Sequence, residues 1–206
     1  AINISNVTTW RARMKLRLGF LLAGLVFLTS CAVQLPWAPD ERVQRAVYHA
    51  GAPYSITLMT VVANDGKGSG HSSLLINGSQ RVIYDPAGTW FHKDVPERAD
   101  MLYGMTPTML QYYIDYHARA RFHVVMQTKV VSRQTADKMI ALAVENGASA
   151  NGFCAQNTSH LISLTQGFEG FPVGLWPKDA VAGMNAVPGV TAKKIFQDDE
   201  GKDLKS

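Results

Sequence analysis

A short apolar run near the N-terminus decides which part of this chain can belong to a folded domain. Residues 18–28 are uncharged and apolar, and four basic residues between positions 11 and 17 precede them. This run is too short to span a membrane, which takes about 20 apolar residues, but a basic flank before such a core is typical of a secretory signal peptide. We therefore predict that residues 1–30 are an export signal. Met14 is the expected start of translation, with residues 1–13 upstream of it.

The residues that follow, Leu28-Thr-Ser-Cys31, resemble the lipobox of bacterial lipoproteins. The resemblance implies cleavage before Cys31 and attachment of a diacylglyceryl group to its thiol. Ala32 stands where an aspartate would imply retention in the inner membrane, so the resemblance implies the outer membrane. Because each buried methylene adds about 0.8 kcal/mol, several acyl chains anchor a protein firmly. We expect a lipid-anchored protein at the periplasmic face, with residues 31–39 as a tether.

Cleavage before Cys31 changes what the composition implies. The chain has 20 Lys plus Arg, 16 Asp plus Glu and a formal net charge of +4. The four basic residues between positions 11 and 17 precede Cys31 and no acidic residue does, so the processed chain has no net charge. The charge therefore gives no reason to expect a nucleic-acid partner. Its apolar content of 47% excludes a wholly disordered chain. With Cys31 lipidated, Cys154 is the one free thiol and no internal disulfide can form.

Residues 40–196 predict a single domain, and residues 197–206 predict a mobile charged tail. Helical spacing and capping residues predict helices over 40–50, 107–117, 132–146 and 154–165. Strands are predicted over 54–63, 72–76, 81–85 and 121–131, and residues 86–104 and 167–188 have no regular pattern. Because strands and helices do not alternate as in βαβ units, the fold class is expected to be α+β.

Cys154 is the first candidate for chemistry, because loop-like residues precede it and a predicted helix follows. The free N–H groups and the dipole at a helix N-terminus stabilise a thiolate. The same N–H groups can stabilise an oxyanion. A thiolate nucleophile needs a base, which is usually histidine. The alternative is an inert cysteine of the core.

His71 is the best candidate for the base, because it opens a predicted strand and a strand is a rigid support. His160 follows Cys154 by six residues, so it points about 240° away around the helix. His49 and His117 lie on predicted helices, where packing or surface roles are more typical.

His92, in an irregular segment, and His123, at a strand start, remain open as alternatives. A zinc site formed by His71, His92 and His123 would lack the usual ligand spacing. We therefore expect neither a metal nor a cofactor.

The order of these motifs resembles the circularly permuted papain-like hydrolases, which include permuted NlpC-type peptidases and lecithin retinol acyltransferase-like proteins. Gly70-His71 opens a strand hairpin, a helix follows a Ser-x-x-Thr segment, and Phe153-Cys154 opens another helix. The similar region covers roughly Tyr54 to Lys178. The resemblance implies a small antiparallel sheet packed against helices, with Cys154 as nucleophile, His71 as base and a polar residue on the next strand to orient the histidine.

Asp85 is our choice for the orienting residue, since it ends the second strand of the hairpin and carries charge. A two-residue turn at Asn77-Gly78 would pair His71 with Tyr84 and place Asp85 on the wrong face. A three-residue loop over 77–79 would pair His71 with Asp85 directly. Three other polar residues remain possible supports for His71: Tyr84, Tyr54 and Asn151. A turn residue before Pro86 is the simpler interpretation of Asp85.

Together these features predict a periplasm-facing lipoprotein that hydrolyses an amide or ester. The Cys154 thiolate would attack the carbonyl, and water or another acceptor would release the acyl group. Location and family analogy favour peptidoglycan peptides as the substrate class. Two alternatives remain, an acyltransferase and a non-enzymatic envelope lipoprotein that binds cell wall or a partner protein.

Overall fold

The computed structural model describes residues 37–200, so the predicted signal peptide, Cys31 and residues 32–36 lie outside the described residues. The described chain has an α+β fold, as predicted, with a seven-stranded antiparallel sheet and five helices. The strands are β1 (Ser55–Ala63), β2 (Ser69–Asn77), β3 (Arg81–Tyr84), β4 (Glu97–Arg98), β5 (Met101–Tyr103), β6 (Phe122–Val130) and β7 (Val190–Ile195). Their order in the sheet is β4-β5-β3-β2-β1-β6-β7. The helices are α1 (Asp40–Arg45), α2 (Pro107–His117), α3 (Arg133–Asn146), α4 (Cys154–Ser163) and α5 (Pro177–Ala186).

Helices cover both faces of the sheet. Leu74 and Ile76 of β2 belong to a core that also contains apolar side chains of α3, α4 and α5. Leu75, between them, belongs to a second core with Tyr113 and Ile114 of α2. Alternate residues of a strand point to opposite faces, so β2 lies between the helix that begins at Cys154 and helix α2.

Two of the predicted helices begin and end where local signals place them. Thr106 caps α2 by accepting a hydrogen bond from the Met109 N–H. Ser132 caps α3 in the same way, and Gly147, with φ of +69°, ends it. Such caps satisfy N–H groups that the first turn of a helix leaves without intrahelical partners.

Three predictions for the segments outside the central hairpin are wrong, and one strand was not predicted. Helix α1 ends at Arg45 rather than residue 50, because it buries no side chain and packing does not extend it. The segment 86–104 contains β4 and β5, and the segment 167–188 contains α5. Strand β7 was not predicted, and its exposed Lys193 and Lys194 are typical of an edge strand.

Among the described residues, no helix is both long enough and apolar enough to cross a bilayer.

Candidate active site

Cys154 is the first residue of α4, where the chain passes from a loop into the helix. The residue is largely buried, with 8% exposure. Ser72 of β2 lies beside the thiol and lowers its pKa, and the Ser72 hydroxyl lies 3.0 Å from Thr158 Oγ1. Thr158 in turn donates to the Cys154 carbonyl, so β2 and α4 hold the thiol between them.

The surroundings of Cys154 favour its thiolate. Burial by itself raises the pKa of the thiol, but a hydrogen bond and the positive charge of His71 lower it, and the hydrogen bonds from Ser72 lower it further. The net effect is a thiol pKa below the ordinary value. Phe153, at the N-cap position, has no side-chain acceptor, so the first-turn N–H groups stay available for a developing oxyanion.

His71 lies on β2 and forms a short contact with Asp85. The His71 Nε2 atom is 2.6 Å from Asp85 Oδ1, and Asp85 is 4% exposed. Because Nε2 is engaged by the carboxylate, Nδ1 is the ring nitrogen left for the thiol. The structure thus brings together the three residues Cys154, His71 and Asp85 in the order thiol, imidazole and carboxylate.

The hairpin loop differs from both the two-residue and the three-residue turn that the sequence allows. Asn77 pairs with Arg81, so the loop consists of residues 78–80 rather than 77–78 or 77–79. The Ser79 N–H donates to Asp137 of α3 at 2.5 Å. This contact to a helix distant in sequence shows why turn propensity alone does not predict the loop.

The observed register still places His71 and Asp85 on one face. Leu74 pairs with Tyr84, so extension of the ladder puts Asp85 opposite Ser73, two positions from His71. Direct pairing of His71 with either Asp85 or Tyr84 is therefore wrong. Diagonal neighbours on the same face are within reach of long side chains, and the imidazole covers the remaining distance.

The two members of the pair move each other's pKa in opposite directions. Burial lowers the pKa of His71, but hydrogen bonds to Asp85 and Cys154 outweigh it and raise the pKa to about 10. Burial raises the pKa of Asp85, but the hydrogen bond and charge of His71 bring it below its usual value. At neutral pH the site therefore holds an imidazolium and a carboxylate, beside a thiol whose ionisation they favour.

Tyr113 of α2 fixes the carboxylate from the other side. Its hydroxyl donates to Asp85 Oδ1 at 2.5 Å and lies 2.9 Å from Ser73 Oγ. Tyr113 is 2% exposed, and burial beside Asp85 raises its pKa well above the ordinary value. The hydroxyl thus stays protonated and donates to Asp85. Tyr113 had no sequence signal beyond its place on an amphipathic helix.

His117, whose place on a predicted helix favours a packing or surface role, lies against His71. Its ring stacks on His71 with centroids 5.7 Å apart and is tilted against Tyr113 at 4.3 Å. The His117 Nδ1–H donates to the Tyr113 carbonyl at 2.8 Å, so Nε2 is the nitrogen with a free lone pair. Burial lowers the pKa of His117. A neutral imidazole thus lies beside the charged one.

The other possible supports for His71 lie elsewhere. The Tyr84 hydroxyl donates to the Gly147 carbonyl and accepts from Asn146, on the α3 side of the sheet. Tyr54 packs against the core on that same side, and Asn151 is exposed in the loop before α4.

The other histidines do not join this cluster. His92 stacks on Trp90 and Tyr112. His123 Nδ1 lies 2.9 Å from Asn64 Oδ1. The described residues therefore do not bring His71, His92 and His123 together as a zinc site. One metal-capable group is His71, Asp85 and His117, in which one ligand atom of each lies within 4.8 Å of the others.

Gly88 offers a test of the carboxylate that leaves its chemistry intact. A Cβ atom at Gly88 would lie 1.9 Å from Asp85 Oδ2, so Gly88→Ala must displace the buried carboxylate from His71. We expect the alkylation rate of Cys154 at neutral pH to fall by about tenfold, equal to a change of about 1.4 kcal/mol. Gly68→Ala, whose Cβ meets no atom within 4 Å, is the matched control. An unchanged rate in a folded Gly88→Ala variant would contradict this role of Asp85.

Comparison with known proteins yields no match to a family model, to a curated protein or to a solved structure. A functional assignment therefore depends on the geometry of the site.

Proposed function

We propose that this protein is a cysteine hydrolase of amide or ester bonds, with Cys154 as nucleophile and His71 as general base. The observation that carries the proposal is the 2.6 Å contact between His71 and a buried Asp85, in a site where the same imidazole lowers the pKa of a thiol at a helix N-terminus. An inert core cysteine has no need of a histidine held by a buried carboxylate.

The groups present supply each step of acyl transfer. The Cys154 thiolate attacks the substrate carbonyl, and the N–H groups of the first turn of α4 stabilise the oxyanion. The His71 imidazolium then donates its Nδ1 proton to the leaving amine or alkoxide, which leaves an acyl-enzyme. Neutral His71 next removes a proton from water, whose oxygen attacks the thioester and releases the acid. Asp85 holds the ring and offsets its positive charge throughout.

The finer fold assignment is part of the same proposal. The order of base before nucleophile, the antiparallel sheet and the thiol-bearing helix packed on β2 support a permuted papain-like fold.

The proposed location is the periplasmic face of the outer membrane, through a lipid on Cys31. Its support is the sequence pattern of residues 11–31, and peptidoglycan peptides are the substrate class that this location favours. Acyl transfer and non-enzymatic binding are the competing outcomes of the experiment below.

The test uses the purified full chain with Cys31→Ser, so that Cys154 is the one thiol. We expect this protein to release new products from purified muropeptides, because the thiolate–imidazolium pair needs no further group for amide hydrolysis. Products are followed by chromatography and mass spectrometry. An acylated product formed with an added amine or alcohol acceptor would indicate an acyltransferase.

The matched control adds Cys154→Ser, which keeps nearly the same side-chain shape. Turnover that persists in this variant would refute a cysteine nucleophile. If neither muropeptides nor simple ester substrates react, and Cys154 alkylates with the ordinary pH dependence, then binding to the cell wall or a partner becomes the better hypothesis.

A further inference from the structure

The cluster formed by His71, Asp85 and His117 has a donor set that its proposed role in hydrolysis does not require. We propose that these three side chains bind one zinc ion, and that the bound ion reversibly blocks the catalytic pair. The proposal of a zinc site depends only on the geometry of the cluster. The proposal that zinc blocks the catalytic pair rests on the proposed function.

The donor atoms select the class of metal. Two imidazole nitrogens and one carboxylate oxygen form a set that suits zinc and other late first-row cations, whereas magnesium and calcium prefer oxygen donors. Three protein ligands leave a fourth position of the tetrahedron for water. The cluster thus fits a zinc site with one open coordination position.

The spacing of the donors also fits a single ion. One ligand atom from each residue lies within 4.8 Å of the other two. The centroids of the His71 and His117 rings are 5.7 Å apart. Two imidazoles that share one zinc at about 2.1 Å have centroids roughly 5 to 6 Å apart, so the ring separation suits one ion. Because the ring planes are within 10° of parallel, one ring must turn before both lone pairs point at the same ion.

Tyr113 orients two of the three ligands in the way that metal sites use. Its carbonyl accepts the His117 Nδ1–H at 2.8 Å, which leaves the Nε2 lone pair for an ion. Its hydroxyl donates to the Asp85 carboxylate at 2.5 Å. Outer partners of this kind fix the tautomer of a ligating histidine and the direction of a ligating carboxylate.

Zinc and the catalytic pair need the same atoms. An ion at His71 Nε2 and Asp85 replaces the proton that these atoms share, and that proton leaves to solvent. The His71–Asp85 hydrogen bond and the zinc-bound form therefore exclude each other. Removal of the ion by a chelator, followed by reprotonation, restores the pair.

Binding is measured without reference to activity. The full chain with both Cys31→Ser and Cys154→Ser has no thiol, and it is titrated with zinc chloride in competition with a chromophoric chelator. We expect one zinc per chain. Adding His117→Phe, which keeps a stacked ring but has no nitrogen, is expected to weaken binding by more than about tenfold. His160→Phe, on the exposed side of α4, is the matched control and should bind as the parent does.

The block is measured in the Cys31→Ser chain by the rate of Cys154 alkylation with and without zinc. We expect zinc to slow the reaction, a chelator to restore it, and His117→Phe to remove most of the effect. Absence of stoichiometric binding, or equal affinity in parent and His117→Phe, would overturn the site. Binding without any slowing would overturn the block. Hydrolysis is assayed in the presence of chelator. A lack of hydrolysis would therefore count against the proposed function and leave the zinc result unchanged.

Discussion

His71→Gln is expected to reduce hydrolysis by about 10²- to 10⁴-fold in kcat/KM, the usual contribution of a general acid–base group. Glutamine keeps a hydrogen-bonding side chain at this position of β2 but can neither take the thiol proton nor carry charge. Since His71 supplies the largest effects that lower the pKa of Cys154, the thiol pKa should rise toward or above the ordinary value of about 8.5. Both quantities are measured in the Cys31→Ser chain, by substrate turnover and by the pH dependence of alkylation.

His160→Gln is the matched control for that variant, because His160 lies on the same helix as Cys154 but is exposed. Its thiol pKa and turnover should equal those of the parent. A His71→Gln protein that folds, shows a cooperative thermal transition and keeps the parent's thiol pKa would refute the Cys154–His71 pair.

Much of the fold follows from residues that act locally. Thr106 and Ser132 cap α2 and α3, and the apolar stripes behind them give the helices their length. The short strands β4, β5 and β7 have no comparable local signal. Strand β5 pairs with β3, and β7 pairs with β6 about 65 residues earlier in the chain. These strands form because a neighbouring strand leaves its backbone groups free for pairing. A short window of sequence does not show that such a neighbour is present.

The residues of the site also differ in how far the local sequence predicts them. A loop-to-helix transition marks Cys154, and a strand start marks His71, so both can be singled out from sequence. Asp85 depends on the hairpin register, which involves a contact between Ser79 and Asp137, 58 residues apart. His117 depends on how α2 packs across the sheet, so helical periodicity shows only that it belongs to a partly apolar face.

Asp85→Asn is expected to reduce kcat/KM by about 10²-fold or more, because the imidazolium loses the anion that stabilises it. In the parent, His71 with a pKa of about 10 stays protonated through neutral pH, and Cys154 ionises below its ordinary value. Activity should therefore rise as Cys154 ionises and fall only near pH 10, as His71 loses its proton. Without the Asp85 charge, burial lowers the pKa of His71, and the alkaline fall should move to lower pH by several units.

Asp100→Asn is the matched control, because Asp100 is also buried and near Asp85 but accepts hydrogen bonds from the Ala87 and Ser149 N–H groups rather than from His71. This variant is expected to lose stability while its alkaline limit remains near pH 10. The decisive measurement is the pH profile of kcat/KM in the presence of chelator. If Asp85→Asn kept the parent's alkaline limit, the charge of Asp85 would not be what holds the proton on His71. The carboxylate would then act by orientation alone, through the same contacts that Asn can make.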